Sequence, residues 1–302
     1  MLRIPPTLRE TESLRPPVIT RASIAISLGL LGIASLSAQA GDKLPRDVAP
    51  EVVQLAELPK KGLPESSGLV VSRQFPGVLW THNDGKDRRL FAINRTGEKL
   101  AEFEVRGVFI WDWEDLALDD ANRLYVADTG NNVLIRPTLS VHRVREPDPA
   151  QSSAGLNVER SWVLRFPGKG FDAEALVIWQ DHGYLIEKPG SRKNAGLYRW
   201  SLTEGPMVTL ERLGQLEVKS RITGADLSPD GNRLALVCVD GAWLIECVGG
   251  PAQALKQKPF HVPFKLGQIE GCAFDHDGLL ANSEKRELFL FQAKPFVLSR
   301  DE

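Results

Sequence analysis

Residues 112–128 read DWEDLALDDANRLYVAD. A run of acids leads into the apolar stretch Leu116, Ala117, Leu118. Turn residues follow at 119–122 (DDAN), and a second apolar stretch runs from Leu124 to Ala127. Asp and Asn between two β-prone runs mark a hairpin. Four other segments repeat the arrangement, at residues 65–69 (ESSGL), 172–176 (DAEAL), 223–227 (TGADL) and 268–272 (QIEGC). Aligned on Leu69, Leu116, Leu176, Leu227 and Cys272, the spacings are 47, 60, 51 and 45 residues. A repeat of about 50 residues is the length of one four-stranded propeller blade.

Each repeat continues in the same way. Ser228-Pro229-Asp230-Gly231 precedes the apolar run from Leu234, and Asp275-His276-Asp277-Gly278 precedes Leu279. Third strands are expected from Arg89, Leu139, Gly196 and Glu287, and outer strands at 99–105, 159–166 and 208–216. No amphipathic helix of ten residues or more is expected after residue 40. The last repeat is short of an outer strand, and a spare apolar run, VVQLAEL (52–58), precedes the first. The fold expected is all-β: a propeller of five blades, with six as the alternative, its ring closed by the N-terminal strand. Closure of that kind removes exposed sheet edges. A β-sandwich or barrel would not explain the repeat length.

The 302 residues are 42% hydrophobic and 25% charged, which fits a folded domain and excludes a multi-span membrane protein or a disordered tail. The net charge of -2 offers no basic field for nucleic acid. At the N-terminus, Arg3, Arg9, Arg15 and Arg21 precede an apolar run from Ala22 to Leu36 and the small-residue pattern Ala38-Gln39-Ala40. That order is the pattern of a cleaved secretory signal, and the run is too short for a membrane span. The expected organisation is a signal at 1–40, a linker at 41–51 and a single propeller at 52–302. Cleavage takes the net charge to -4 and leaves a monomer in the periplasm or outside the cell, with no membrane anchor. Cys238, Cys247 and Cys272 read as small buried hydrophobes. A hairpin at Asp240-Gly241 would place Cys238 near Trp243 rather than Cys247, so a bridge between those two cysteines is strained.

In a propeller, the loops entering the first strand and leaving the second open on the same face. Glu65, Asp112, Glu114, Asp115, Asp172, Glu174, Asp226 and Glu270 therefore converge with His82-Asn83-Asp84, Asp128-Thr129-Gly130-Asn131-Asn132, Glu187-Lys188, Asp240 and Glu284. So many carboxylates repel one another unless protons, basic side chains or a cation intervene. Lys188, Arg88, Arg89 and Lys285 are the local basic candidates. An oxygen-rich set with little His or Cys suits a hard cation such as Ca²⁺. The metal candidates are Glu65, Glu114, Glu174, Asp226 and Glu270. Of these, Glu114, Glu174 and Glu270 share one register, which turn chemistry does not explain. Strand caps and salt bridges are the structural alternative for the rest. His82 is the candidate general base. Trp80, Trp111 and Trp113 are candidates for an aromatic ligand wall, or for packing between blades. The sequence holds no GxSxG, HExxH, Walker or EF-hand motif.

With these residues in view, ESSGL with LWTHND (79–84) and DWEDLA with YVADTGNN (125–132) resemble the SdiA-regulated and phytase-like propellers of exported bacterial proteins. The later segments DAEAL, ITGADLSPDG and IEGCAF are similar to later blades of that group, and LYVADTGNN is similar to an NHL repeat. The resemblance covers residues 52–292. It implies a propeller and calcium among acidic loops, without a defined activity. Glu187-Lys188 stands in the reverse of the order the resemblance leads one to expect. The functional expectation is an acidic channel mouth that binds a divalent cation and a small ligand or protein partner. The alternatives are a calcium-dependent hydrolase of phosphoesters or lactones, and a metal-free interaction platform.

Overall fold

Turn residues break the chain after runs of two to eight residues, so each apolar run suits one strand and is too short for a helix core. The computed structural model describes residues 43–151, 155–190, 193–265 and 268–298. The expected signal segment lies outside them.

Among the described residues the strands form five sheets. Each is built on an antiparallel meander starting from an innermost strand, Ser66–Val71, Trp113–Leu118, Ala173–Trp179, Ile222–Leu227 and Ile269–Asp275, and the first two carry a short parallel strand at the outer edge. This is a five-bladed β-propeller. The fifth blade is completed from the other end of the chain. Val52–Glu57 pairs antiparallel with Glu287–Phe291, so the N-terminal strand closes the ring. Arg46–Ala49, inside the expected linker, adds one more strand outside it.

The expected third strands form. Two details of the outer strands differ from the sequence reading. Met207–Thr209 pairs parallel with Arg160–Arg165 of the second blade, and only Glu211–Leu216 serves the third. The fourth blade takes Phe260–Pro263, which the sequence had left unassigned. Its hairpin is also tighter than expected. Cys238 pairs with Gly241 rather than lying near Trp243, because the turn is only Val239-Asp240. All three cysteines are buried and free.

Apolar residues from adjacent blades interdigitate. Tyr125 and Trp162 of the second blade, for example, pack with Leu176, Leu185 and Trp200 of the third. Polar bonds join the inner strands. The side-chain oxygens of Ser67, Thr129 and Thr223 donate to the carbonyls of Glu114, Ala173 and Ile269 on the next blade, and Asn282 Nδ2 donates to Ser66 Oγ across the ring closure.

Each inner strand begins with a bulge. The register breaks around Glu114, Glu174, Thr223 and Glu270, and between Ser67 and Val70 in the first blade. A bulged residue has no cross-strand partner, so its side chain is re-aimed. This puts Glu114, Glu174 and Glu270 at matching positions. In the fourth blade the matching residue is Thr223, two positions earlier than alignment on Leu227 implied. The match of ITGA (222–225) with IEGC (269–272) carries the correct register.

Candidate functional site

The bulges deliver acidic side chains to one mouth of the channel. Carboxylate oxygens of Asp84, Asp112 and Glu114 lie within 4.8 Å of one another, as do those of Glu114, Asp172 and Glu174. Asp84 follows the second strand of the first blade, and Asp112 and Glu114 open the second. Asp172 and Glu174 open the third.

Partners are unevenly shared. Lys188 Nζ pairs with Glu174 Oε1, and the Lys188 backbone N–H donates to Asp172 O. Asp172 Oδ1 accepts the Asn131 N–H at 2.6 Å. Gln268 Nε2 donates to Glu270 Oε1 at 3.3 Å and to Glu284 Oε1 at 2.8 Å. Glu114, only 6% exposed, is different. Among the described residues its carboxylate accepts no hydrogen bond and meets no Lys or Arg within ion-pair distance.

The titration shifts follow from this crowding. Burial, then the charges of Glu174, Asp112, Asp84 and Asp172, push Glu114 well above the usual carboxylate range. Burial raises Asp112 to about 6, helped by Asp84 and opposed by Arg136. Burial also raises Glu174 and Glu270, and Lys188 opposes both shifts. Burial works against the charge on Lys188 itself, but Glu174, Glu114 and Glu270 hold its pKa above normal. One lysine thus serves one side of the ring, and among the described residues the Asp84, Asp112 and Glu114 side has no basic partner in contact.

Gly130 walls that side. A Cβ built there would overlap Glu114 Oε1 and Asp112 Oδ2. Gly130→Ala is therefore expected to displace both carboxylates while sparing the fold, since only side-chain ends must move. The check, under the Ca²⁺ binding proposed below, is a titration with affinity at least about tenfold weaker than wild type and an unchanged melting temperature (tenfold is about 1.4 kcal/mol). Equal affinities would remove these two carboxylates from the site.

Of the other candidates, Glu65 stays beside Asp84 at the mouth, where burial, helped by its charge, raises the Asp84 pKa. Glu65 is exposed, and its carbonyl accepts the Asp84 N–H at 2.9 Å. Asp226 sits three residues beyond Thr223, toward the far end of the inner strands. Its Oδ2 accepts the Phe274 N–H at 2.8 Å, and it lines a cavity of about 470 Å³ with Val70, Arg73, Leu118, Phe274 and His276. His82 is fully buried. Its Nδ1 meets Asn83 O at 2.8 Å, Trp113 packs edge-on against the ring, and burial drives its pKa down to about 4. Trp80 and Trp113 are core residues, and Trp111 is half-exposed. Asp115 and Asp128 are structural anchors. Asp128 accepts the Trp111 and Asp112 N–H groups and the Arg136 guanidinium.

No family profile matches the chain, and no curated protein does. Solved structures do. A gluconolactonase from Xanthomonas campestris aligns at 13% identity and a TM-score of 0.48, over 79% of this chain and 88% of that one. A nidogen/laminin complex aligns at 14% identity and 0.46, over 76% of each chain. The virginiamycin B lyase of Staphylococcus aureus aligns at 12% identity and 0.41, over 74% of this chain and 65% of that one. The propeller assignment rests on the sheet topology of the chain itself.

Proposed function

We propose that this chain is an exported propeller of the SdiA-regulated, phytase-like kind, whose acidic channel mouth binds Ca²⁺ and a small ligand above it. Glu114 carries the proposal. A nearly buried carboxylate with no donor, surrounded by other carboxylates, is costly unless a proton or a cation joins it. The all-oxygen set of Asp84, Asp112, Glu114 and Asp172 suits a hard cation. Export is supported by the N-terminal sequence pattern alone.

The second reading is hydrolysis of phosphoesters or lactones. It is favoured by the raised pKa values of Glu174 and Glu270, which would let a carboxyl group exchange protons near neutral pH. The bound ion would polarise the scissile group. His82 takes no part in this reading, since its ring is fully buried.

Calorimetry after chelation tests the proposal. Ca²⁺ is expected to bind with measurable heat and to raise the melting temperature, with a stabilisation of about 2.7 kcal/mol at a hundred times Kd. If neither quantity responds, the cation reading is wrong.

A further inference from the structure

The third and outer strands of the second blade set a serine against a histidine. Ser161 is the direct cross-strand partner of His142 where Thr138–Arg145 pairs with Arg160–Arg165. Opposed residues of an antiparallel pair share one face of the sheet, so the two side chains meet. Ser161 Oγ lies 2.8 Å from His142 Nδ1.

The other nitrogen of the ring is unsatisfied. His142 is 5% exposed, and among the described residues its Nε2 has no hydrogen-bond partner. A buried polar atom of this kind calls for a reason beyond packing. An anion faces it: Asp128 Oδ2 is 3.9 Å from Nε2. Burial works against the charge on Asp128, but His142, Arg136 and the Asp112 and Trp111 amides hold its pKa below normal. The separation is too long for a hydrogen bond, yet short enough for the anion to favour a proton on Nε2. That tautomer leaves Nδ1 to accept from the Ser161 hydroxyl. A hydroxyl bonded to a base, with the base set by a third group, is the arrangement of an activated nucleophile.

The serine opens on a space. Ser161 is half-buried and lines a cavity of about 430 Å³, within the range of small-molecule sites. Thr138, Ser140 and His142 of one strand line it too, with Phe109 and Trp111 of the loop entering the blade. The two charged side chains of the lining, Asp128 and Arg136, pair with each other at 3.0 Å. The cavity therefore offers no net charge and favours a neutral ligand over an anionic one.

We infer that this cavity is an esterase site, in which Ser161 attacks a small neutral carboxylic ester with His142 as its base. The bond from Ser161 Oγ to the acyl carbon forms as the proton passes from Oγ to His142 Nδ1. The ester C–O bond then breaks, and the leaving alcohol takes that proton. Water attacks the acyl group and gives a proton to Nδ1, which returns it to the departing Ser161 oxygen. The products are a carboxylic acid and an alcohol. Thr138 and Ser140 carry hydroxyl donors for the oxyanion, and Phe109 and Trp111 a wall for the apolar part of the ester. None of these side chains belongs to the acidic clusters of the mouth, so the esterase site stands or falls apart from the cation reading.

The test is hydrolysis of p-nitrophenyl acetate and butyrate by the full-length protein in EDTA, together with labelling by a fluorophosphonate probe. Mass spectrometry of the peptides should find the label on Ser161. Ser161→Ala should abolish the label and lower kcat/KM at least about a hundredfold. It should cost no more than about 4 °C in melting temperature, the worth of one hydrogen bond. Asp128→Asn should lower kcat at an unchanged KM, a split that loosening of the loops would not give. A label that misses Ser161, or equal rates in wild type and Ser161→Ala, would overturn the inference. Hydrolysis that EDTA abolishes and Ser161→Ala spares would also overturn it, and move the chemistry to the channel mouth. An unchanged kcat in Asp128→Asn would take Asp128 out of the site.

Discussion

Asp115→Ala is expected to lower the melting temperature by about 10–20 °C. Asp115 is fully buried beside the channel. Its Oδ1 accepts the Leu116 N–H at 2.9 Å, and its Oδ2 accepts the Leu176 N–H at 2.9 Å and the Ala225 N–H at 3.2 Å. One carboxyl group thereby ties the second, third and fourth blades together. Burial pushes its pKa well up, and the three amides oppose that shift. Alanine leaves three buried donors without an acceptor, at about 1–3 kcal/mol each. The sum, about 3–9 kcal/mol, spans about 6–36 °C at roughly 2–4 °C per kcal/mol for a chain of this size, with the stated drop in its lower half. Asp115→Asn keeps one acceptor oxygen and should fall between the two. Scanning calorimetry of the three proteins decides the matter. An alanine variant melting within about 2 °C of wild type would show that the inter-blade bonds contribute little.

In the absence of divalent cation, stability should fall as pH rises from 5 to 8. In the folded chain Asp112 titrates at about 6, and Glu114, Glu174 and Glu270 are all displaced upward. In the unfolded chain such groups titrate at about 4. Across this window the folded state keeps protons that the unfolded state has lost, so its stability declines with pH. Discounted for water around half-exposed Asp112, the loss is on the order of 3 kcal/mol, or about 6–12 °C. Ca²⁺ should restore the melting temperature at pH 8, since it replaces the missing protons. Glu114→Gln removes the charge with the poorest surroundings. It should raise the metal-free melting temperature at pH 8, flatten the pH profile and abolish the response to Ca²⁺. Two results contradict this account: a metal-free profile that is level between pH 5 and 8, or a glutamine variant that still responds fully to the ion.

The spacing of the five acidic segments foretold the ring, and VVQLAEL foretold its closure, because both depend on local patterning that every blade repeats. Phe260–Pro263 escaped notice because a four-residue edge strand with Pro263 carries almost no alternation of its own. Met207–Thr209 was misassigned for a related reason: parallel pairing with a neighbouring blade leaves no hairpin signal.

At the site, Glu114, Glu174 and Glu270 were visible as a shared register, and the bulges explain it. Asp226 looked like a mouth residue only because alignment on Leu227 set it beside the register of Glu114, opposite Asp115. Its bulge at Thr223 places it well past the mouth. His82 looked like a base because a His beside Asn83 and Asp84 belongs to the right loop. In three dimensions it turns inward beneath Gly68 and against Trp113.

Sequence by itself determined the order of the inner strands and the acidic character of one loop face, and favoured five repeats over six, since these follow from periodicity and residue type along the chain. Tertiary structure alone decided that Lys188 serves Glu174 and leaves Glu114 unpaired, and that Asp115 is a tie between blades. It also decided that Trp111 faces water while Trp113 is core. Those outcomes depend on which atoms from different blades meet, and a bulge of one residue is enough to change them.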